Sequence, residues 1–350
     1  MVKRFVFAIP GDLATPTGGY AYDRRMIAEL ASLGWRAEVL DLGSDFPRPS
    51  TAARKTATER LAALPVGEVV VIDGLALGVL PEAAAALGRT HKPVALVHHP
   101  LALETGLAVS EAETMRASER AALAPMRHVI VTSATTARLL AADYAVPPQR
   151  ITVAVPGVER GTRSPRADND TVSLLAVGAL VPRKGYDVLV AALADLNDLS
   201  WHLAIVGPRD RNGACASKID SMVTALNLSE RVTLTGAVAP ERLAGLYAAA
   251  DLFVLASRYE GYGMAFTEAI AHGVPVIGTT AGAIPEAVPE GAGVLVPPDD
   301  VGALSGTLRR LIVDADAREL LAAGARAQAD RLPTWTQSAA AFAAALESVT

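Results

Sequence analysis

Short apolar runs alternate with amphipathic stretches along almost the whole chain. Runs such as KRFVFAIP, EVVVIDG, KPVALVHHP and HVIVTSATT have the length of a strand and predict buried parallel strands. Between the first strand and the next, WRAEVLDL, the segment YDRRMIAELASLG has helical spacing and stops at Gly34. This β–loop–α–β order predicts an α/β protein with a doubly wound sheet.

A second series of the same kind begins at TVSLLAVG and continues through WHLAIVG, RVTLTG, DLFVLAS, VPVIG and GAGVLVP. Between the two series, residues 157–170 (GVERGTRSPRADND) show no apolar period and are the best linker candidate. We therefore expect two domains, at residues 1–160 and 161–334. The helix over 335–350 is expected to pack back on the first.

The stretch from Ser257 to Glu286 carries the clearest chemistry. Gly261 and Gly263 end a strand, and the helix from Met264 to His272 follows. A helix start has unpaired N–H groups and partial positive charge, so it attracts phosphate. Glu260 and Glu268 flank this patch, and sugar hydroxyls would suit them as partners. The stretch thus predicts a nucleotide-sugar site, although an ordinary strand–loop–helix unit with a solvated Glu268 would show the same pattern.

Three further groups are candidates, each with a plainer alternative. Gly18 and Gly19 open the first helix, where they suit either close approach to a ligand or a tight turn. His98 and His99 follow a strand at its carboxyl end, where open α/β sheets bind ligands, although adjacent histidines are often structural. The cations of Arg183 and Lys184 could clamp phosphate or remain on the surface.

Composition narrows the class of protein. The chain has 350 residues, is 51% hydrophobic and carries a net charge of −5, which disfavours nucleic acid as a partner. Its single cysteine, Cys215, excludes an internal disulfide and a cysteine-based zinc site. The N-terminal apolar run is too short for a signal peptide, and no apolar span reaches membrane length. We expect a cytoplasmic protein and leave open peripheral contact with the inner face of a membrane.

In its order of motifs, the chain resembles the retaining glycosyltransferases of the GT-B fold, family 4 (glycosyl transferases group 1). The resemblance rests on TGGYAYDRRMIAELASLGWRAEVL and ITVAVPGVE in the first half. In the second half it rests on VGALVPRKGYDVLVAAL, AIVGP, RVTLTGAV and YAAADLFVLASRYEGYGMAFTEAIAHGVPVIGTTAGAIPE. Glu260 and Glu268 have the spacing of the family's E-x7-E motif. The resemblance implies two Rossmann-like doubly wound domains that face each other across a cleft.

The resemblance also implies roles for individual residues. Glu268 would hold the ribose hydroxyls of the donor, and Glu260 would lie near the transferred sugar. Lys184, with Arg183, would neutralise the diphosphate, and His99 or His98 would be the histidine of the first domain, with the count from Pro93 favouring His99. Backbone amides of Gly263, Met264 and Ala265 would bind the diphosphate and sugar, and Gly18 and Gly19 would close on the donor from the other domain. The loops that contain Gly207 and Val238 would line the base, and Gly261 completes the set of donor-binding residues.

One position departs from the family pattern. An arginine often follows the glycine that ends the first strand of the second domain, and this chain has Ala179 there. Arg183 is a possible replacement. The implied reaction is metal-independent and needs no cofactor: it moves a hexose-type sugar from a nucleoside-diphosphate sugar to a hydroxyl of a lipid, glycan or small molecule. The alternatives are a nucleotide-sugar epimerase, a phosphorylase, or an inactive nucleotide-sugar-binding protein.

Overall fold

The computed structural model describes residues 3–161 and 171–350 of the chain, so residues 162–170 of the predicted linker lie outside the described part. Two compact units are present. The first comprises Met1–Gly157 together with Pro333–Thr350, and the second comprises Val158–Leu332. The last helix of the chain thus belongs to the first unit.

The first unit alternates strands and helices. Its strands are β1 (Lys3–Ile9), β2 (Trp35–Asp41), β3 (Val69–Asp73), β4 (Lys92–Val97), β5 (His128–Val131) and β6 (Ile151–Val153). Its helices are α1 (Gly18–Ser32), α2 (Thr51–Ala62), α3 (Gly74–Leu77), α4 (Pro81–Thr90), α5 (Val109–Leu123), α6 (Ala134–Asp143) and, at the end of the chain, α14 (Trp335–Glu347).

All six strands pair in parallel in the order β2-β1-β3-β4-β5-β6. β1 is the second strand of this sheet, with the edge strand β2 on one side and β3 on the other, so the strand order reverses at β1. This reversal is the topological switch point, where open α/β sheets bind ligands beyond the carboxyl ends of the strands. The loops after β1 and β3 are therefore the place to look for a site.

The second unit repeats this architecture. Its strands are β7 (Val172–Val177), β8 (Trp201–Val206), β9 (Val232–Gly236), β10 (Leu252–Val254), β11 (Val276–Thr279) and β12 (Gly293–Val296). Its helices are α7 (Tyr186–Ala194), α8 (Gly213–Ala225), α9 (Pro240–Ala249), α10 (Met264–Ala271), α11 (Ile284–Ala287), α12 (Val301–Val313) and α13 (Ala315–Ala329). The parallel order β12-β11-β10-β7-β8-β9 puts the switch point between β10 and β7. Two doubly wound parallel sheets confirm the predicted fold class.

Local sequence explains where the key helices begin. Thr17 caps α1, its hydroxyl accepting a hydrogen bond from the Tyr20 amide, so Gly18 and Gly19 form the first turn of the helix. Asp73 ends β3 and caps α3 by accepting from the Leu75 amide at 2.8 Å. At the other end of the chain, Thr334 and Gln337 form a capping box that starts α14.

None of the helices in residues 3–161 and 171–350 is long and apolar enough to cross a membrane.

A buried carboxyl supports the turn that follows β4. Glu119 on α5 is 1% exposed, and its Oε2 accepts from the Leu101 amide at 3.0 Å. Burial raises the pKa of Glu119 from the ordinary 4.5 to about 8. The unfolded chain ionises this group from about pH 4.5 upward, whereas the folded protein holds the proton until about pH 8. Glu119 therefore costs stability increasingly as the pH rises through that window.

Glu119→Gln is expected to raise the free energy of unfolding at pH 8 by about 4 kcal/mol, because the amide stays neutral and still accepts from Leu101. At pH 4.5 the variant and the wild type should differ little, since both are then uncharged in the folded state. Urea unfolding at the two pH values measures this. An equal effect at both pH values would contradict a buried neutral carboxyl.

Candidate active site

In the second unit, the loops at the switch point bring together the residues that the sequence singles out. The loop after β7 carries Arg183 and Lys184 in a 3-10 turn, and the loop after β10 carries Glu260 and leads into α10. Gly185, with φ of 65°, closes the first loop, and a Cβ there would lie 1.9 Å from the Ala256 carbonyl oxygen. Only glycine allows this approach, which packs one loop against the other.

Glu260 is the centre of a cation–carboxylate cluster. Lys184 donates from Nζ to Oε1 at 2.7 Å, and Arg183 donates from Nη1 to Oε2 at 3.2 Å. The Ser257 hydroxyl donates to Oε1 at 2.6 Å. Burial opposes ionisation of Glu260, but the charges of Lys184 and Arg183 outweigh it and lower its pKa to about 2. Glu260 is therefore a carboxylate that holds two cations at the switch point.

Backbone contacts fix this cluster. Nη1 of Arg183 also donates to the Tyr259 carbonyl at 2.8 Å, and the Arg258 amide donates to the Arg183 carbonyl at 2.8 Å. The Glu260 carbonyl accepts from the Ala283 amide at 3.0 Å. The Arg183 side chain thus contacts Tyr259 and Glu260. Ala179 itself carries no charge.

The start of α10 lies directly after the cluster. Gly263 has φ of 107°, a left-handed conformation that favours glycine, and it turns the chain into the helix at Met264. Phe266, Ala269 and Ile270 are fully buried, as the predicted apolar face requires. The first amides of the helix, at Met264 and Ala265, have no intrahelical acceptor, because none precedes them. This end of α10 can donate hydrogen bonds to an anion.

Glu268 lies farther along α10 and is partly exposed. The Tyr247 hydroxyl on α9 donates to its Oε2 at 2.8 Å, and the Tyr247 ring stacks on His272 with centroids 5.2 Å apart. Burial raises the pKa of Glu268, while the Tyr247 hydrogen bond and the charge of Lys184 oppose that rise. Glu268 is consequently held in one orientation by an aromatic partner that is itself buried.

The remaining predicted backbone positions of this unit lie at neighbouring strand ends. Gly207 follows β8, and its amide donates to the carbonyl of Gly236, the last residue of β9, at 3.0 Å. Val238 comes two residues later and is half-buried, whereas Gly261 is buried in the loop before α10. A Cβ at Gly207 would lie 2.0 Å from the Gly178 carbonyl oxygen, so this position also needs glycine.

The switch point of the first unit holds a second cluster, formed by Asp23 of α1, Asp73 of β3 and His98. Nε2 of His98 lies 3.3 Å from Oδ1 of Asp23 and 3.7 Å from Oδ2 of Asp73. Both aspartates are buried, and the His98 side chain is 20% exposed. Among the residues that the structure describes, these three atoms form a set within 4.8 Å that could hold a proton or a cation.

His99 points to a different environment. Its Nε2 lies 3.4 Å from Oε2 of Glu104, and it lines a cavity of about 130 Å³. The other lining residues are mostly apolar: Pro47, Arg48, Leu75, Leu101, Glu104, Leu107 and Met115. The two adjacent histidines therefore have separate surroundings, and Gly19 is close to His98, since a Cβ at Gly19 would lie 3.4 Å from the ring. Gly18 is exposed beside it.

Comparison with known proteins identifies the second unit. Residues 159–328 match the family model described as Glycosyl transferases group 1, which covers nearly all of that unit. The second unit belongs to this family. The motif residues Lys184, Glu260 and Glu268 all lie within the matched segment. The group 1 unit thus contains the whole cation–carboxylate cluster and the start of α10.

Similar proteins extend over more of the chain. The MMP alpha-(1->4)-mannosyltransferase of Mycolicibacterium hassiacum is 29% identical over 318 residues, which cover 86% of this chain and 75% of that protein. The chain spans about half the length of several other glycosyltransferases that it matches.

Two solved structures share the fold over essentially the full length, and this is the GT-B fold. Sucrose-phosphate synthase from Thermosynechococcus elongatus has a TM-score of 0.82 and 23% identity, with 99% of each chain covered. The Anabaena protein HepE, solved in complex with UDP-glucose, has a TM-score of 0.73 and 18% identity, with 98% of this chain and 99% of that chain covered.

Four residues of the two clusters were not predicted from the sequence, and two of them do carry a signal that could have found them. Tyr247 and Ser257 give no sequence signal, because each acts through one contact to a residue of the E-x7-E motif. Asp73 does give one: it is a charged residue at the end of the buried run VVVID. Asp23 gives another, since it shares the buried face of α1 with Met26 and Leu30 at spacings of three and seven.

Proposed function

We propose that this chain is a retaining glycosyltransferase that moves a hexose-type sugar from a nucleoside-diphosphate sugar to an acceptor hydroxyl. The observation that carries the proposal is the cluster of Lys184, Arg183 and Glu260 beside the start of α10, at the switch point of the group 1 unit. Two cations and the amides of a helix N-terminus suit a diphosphate, which is the leaving group of such a donor. The UDP-glucose bound by HepE, a protein of the same fold, supports this class of donor.

In the proposed reaction, the bond from the anomeric carbon to the diphosphate oxygen breaks as the bond to the acceptor oxygen forms on the same face. The acceptor proton passes to an oxygen of the departing phosphate. Negative charge grows on the diphosphate, and Lys184, Arg183 and the α10 amides stabilise it electrostatically. Fixed cations supply this charge, so we propose that the reaction needs neither a divalent metal nor a cofactor.

The contacts of Glu260 suggest that it binds the transferred sugar once the donor is present. Without donor, its carboxylate balances Lys184 and Arg183. A bound diphosphate would share those cations, which frees part of the Glu260 carboxylate to accept from a hydroxyl of the transferred sugar. Glu268, oriented by Tyr247, is proposed to accept from the ribose hydroxyls. In the first unit, the cavity beside His99 is the proposed place for the acceptor.

A panel of nucleotide sugars tested by thermal shift identifies the donor, because a ligand that binds the folded state raises Tm. Incubation of that donor with candidate acceptors then tests transfer. Release of nucleoside diphosphate only when acceptor is present, with the anomeric configuration of the product retained by NMR, is expected. Binding without turnover would favour the inactive binding protein. Conversion of the donor without any acceptor would favour the epimerase.

Variants at Glu268 test the ribose contact. Glu268→Gln is expected to weaken donor binding about 10- to 100-fold, because a hydrogen bond to a charged acceptor is replaced by one to a neutral amide. Tyr247→Phe removes only the hydroxyl that orients Glu268 and should weaken binding less, with kcat nearly unchanged in both. Calorimetric titration of the donor measures each Kd. Wild-type affinity in Glu268→Gln would remove the ribose assignment.

A further inference from the structure

The cluster of Asp23, Asp73 and His98 has no part in the chemistry above, although it occupies the switch point of the first unit. Asp23 lies one turn into α1, Asp73 ends β3, and His98 follows β4, so three separate elements converge on one nitrogen atom. The Oδ2 atom of Asp23 is buried and, among the described residues, has no hydrogen-bond partner. Burial of a carboxylate with one unsatisfied oxygen lowers the stability of the fold, so such a group calls for a functional explanation.

The position of the His98 ring is fixed on several sides. The His98 and Tyr22 rings are in T-shaped contact, with centroids 5.3 Å apart and planes at 85°, and the Tyr22 hydroxyl donates to the Ala154 carbonyl at 3.0 Å. The Gly19 backbone lies against the ring on another side. The His98 carbonyl accepts from the Thr132 hydroxyl at 3.3 Å. The ring therefore has little freedom to turn Nε2 away from the two carboxyls.

This placement fixes the tautomer. Nε2 lies within hydrogen-bonding distance of Oδ1 of Asp23, and an ionised carboxylate only accepts, so Nε2 carries the proton when Asp23 is ionised. Nδ1 is then the ring nitrogen left for a ligand, and within residues 3–161 and 171–350 no hydrogen bond from a protein atom reaches it. Two carboxyls beside one imidazole also favour the doubly protonated ring, in which Nδ1 is a donor and has no lone pair.

We propose, resting on the glycosyltransferase function above, that Asp23 and Asp73 are positioning residues that keep His98 as an imidazolium. His98 then offers the Nδ1–H to a substrate oxygen and cannot act as the base that removes the acceptor proton. A base needs a free lone pair, and this arrangement withholds it. The proton of the acceptor must accordingly leave by another route, as the transfer to the departing phosphate requires.

The charged surroundings are consistent with this assignment. Burial opposes the charge of His98, but the Asp23 hydrogen bond and the charges of Asp23 and Asp73 raise its pKa above the ordinary 6.5. Burial and the charge of Asp23 raise the pKa of Asp73 to about 7, and burial raises that of Asp23 against the opposing effects of His98 and Arg24. Asp23, Asp73 and His98 therefore titrate together, because each charge changes the pKa of the other two groups.

The state of the ring can be measured without any activity. In protein labelled with ¹³C and ¹⁵N at histidine, His98 is assigned by the signal missing in His98→Gln. At neutral pH we expect both ring nitrogens of wild-type His98 to show protonated shifts, with a titration midpoint above the ordinary 6.5 of an imidazole. A neutral ring with a free Nδ1 lone pair would overturn the proposal.

Two isosteric variants test the positioning. Asp23→Asn and Asp73→Asn are each expected to lower the His98 midpoint by about one pH unit, a shift worth about 1.4 kcal/mol. In the active enzyme each should lower kcat about tenfold at alkaline pH and move the alkaline limb of the pH profile downward, with little change in donor KM. Asp143→Asn, at the exposed end of α6, is the matched control and should change nothing.

Two outcomes would overturn the proposal by different readouts. A purely structural cluster would lower Tm in the variants while the His98 midpoint and the pH profile stay where they are. A metal site would show stoichiometric Zn²⁺ in the wild type, lost in Asp23→Asn and after chelation, with the His98 signals moving accordingly. If wild-type protein shows the imidazolium but no transfer, the proposed function fails and the proton assignment stands. If a variant does not fold, the wild-type titration alone decides the charge.

Discussion

Lys184→Met is expected to lower kcat by about 10²- to 10³-fold, the loss typical for removing one fixed donor to a developing anion. Lys184 is the closest cation to Glu260, with Nζ at 2.7 Å from Oε1, and its side chain is only 14% exposed. Solvent therefore screens this charge weakly, and its effect on a leaving diphosphate is correspondingly large. The donor Kd should rise less than kcat falls, because the charge on the diphosphate grows during bond cleavage.

Single-turnover rates with saturating donor and acceptor measure this effect. Lys184→Arg, which keeps the charge on a longer and forked side chain, should retain more activity than the methionine variant. Lys218→Met is a matched control: Lys218 is an exposed lysine on α8 that pairs with Asp187. Equal rates in Lys184→Met and the control would show that Lys184 does not face the leaving group.

Glu260→Gln is expected to lower the free energy of unfolding by about 3 kcal/mol at neutral pH, as breaking a buried ion pair does. The pKa of Glu260 is lowered to about 2, below the ordinary 4.5. Its ionised form therefore stabilises the fold at pH values above about 4.5, and this contribution is lost as the pH falls toward about 2. The difference between variant and wild type should shrink across the same window.

Denaturant unfolding at a series of pH values measures this difference. Glu290→Gln, at an exposed position of the same unit, should leave the free energy of unfolding unchanged at every pH. A Glu260→Gln variant whose deficit stays constant down to about pH 2 would contradict the charge assignment, and would indicate that lost packing causes the effect.

The fold was readable from the chain because each buried parallel strand is a nearly continuous apolar run. Runs such as VVVID and VALV need both faces covered, so they predict strands between helices without knowledge of their neighbours. The helix α10 was equally readable, since its apolar face and flanking glycines are local features. The short strand β6 lies within the apolar run ITVAV, which also predicts a strand, and it pairs with β5.

The contacts within the site were not readable in the same way. Lys184 and Glu260 are 76 positions apart, and no spacing rule joins them until the order of β7 and β10 in the sheet is known. The sequence predicted that Arg183 and Lys184 clamp phosphate or remain on the surface, whereas the structure pairs both cations with Glu260. The sequence also could not distinguish His98 from His99, because both follow the same strand and differ only in their tertiary neighbours.

The placement of α14 has a consequence for how the protein is made. Phe342 and Leu346 are fully buried, and α14 packs against α1, β5 and β6, so the N-terminal sheet lacks part of its cover until this helix has been synthesised. All of Val158–Leu332 leaves the ribosome before then and can fold first. A nascent chain stalled before Trp335 would have a folded C-terminal sheet and an N-terminal sheet with an exposed apolar surface. Chaperones bind such exposed apolar surfaces.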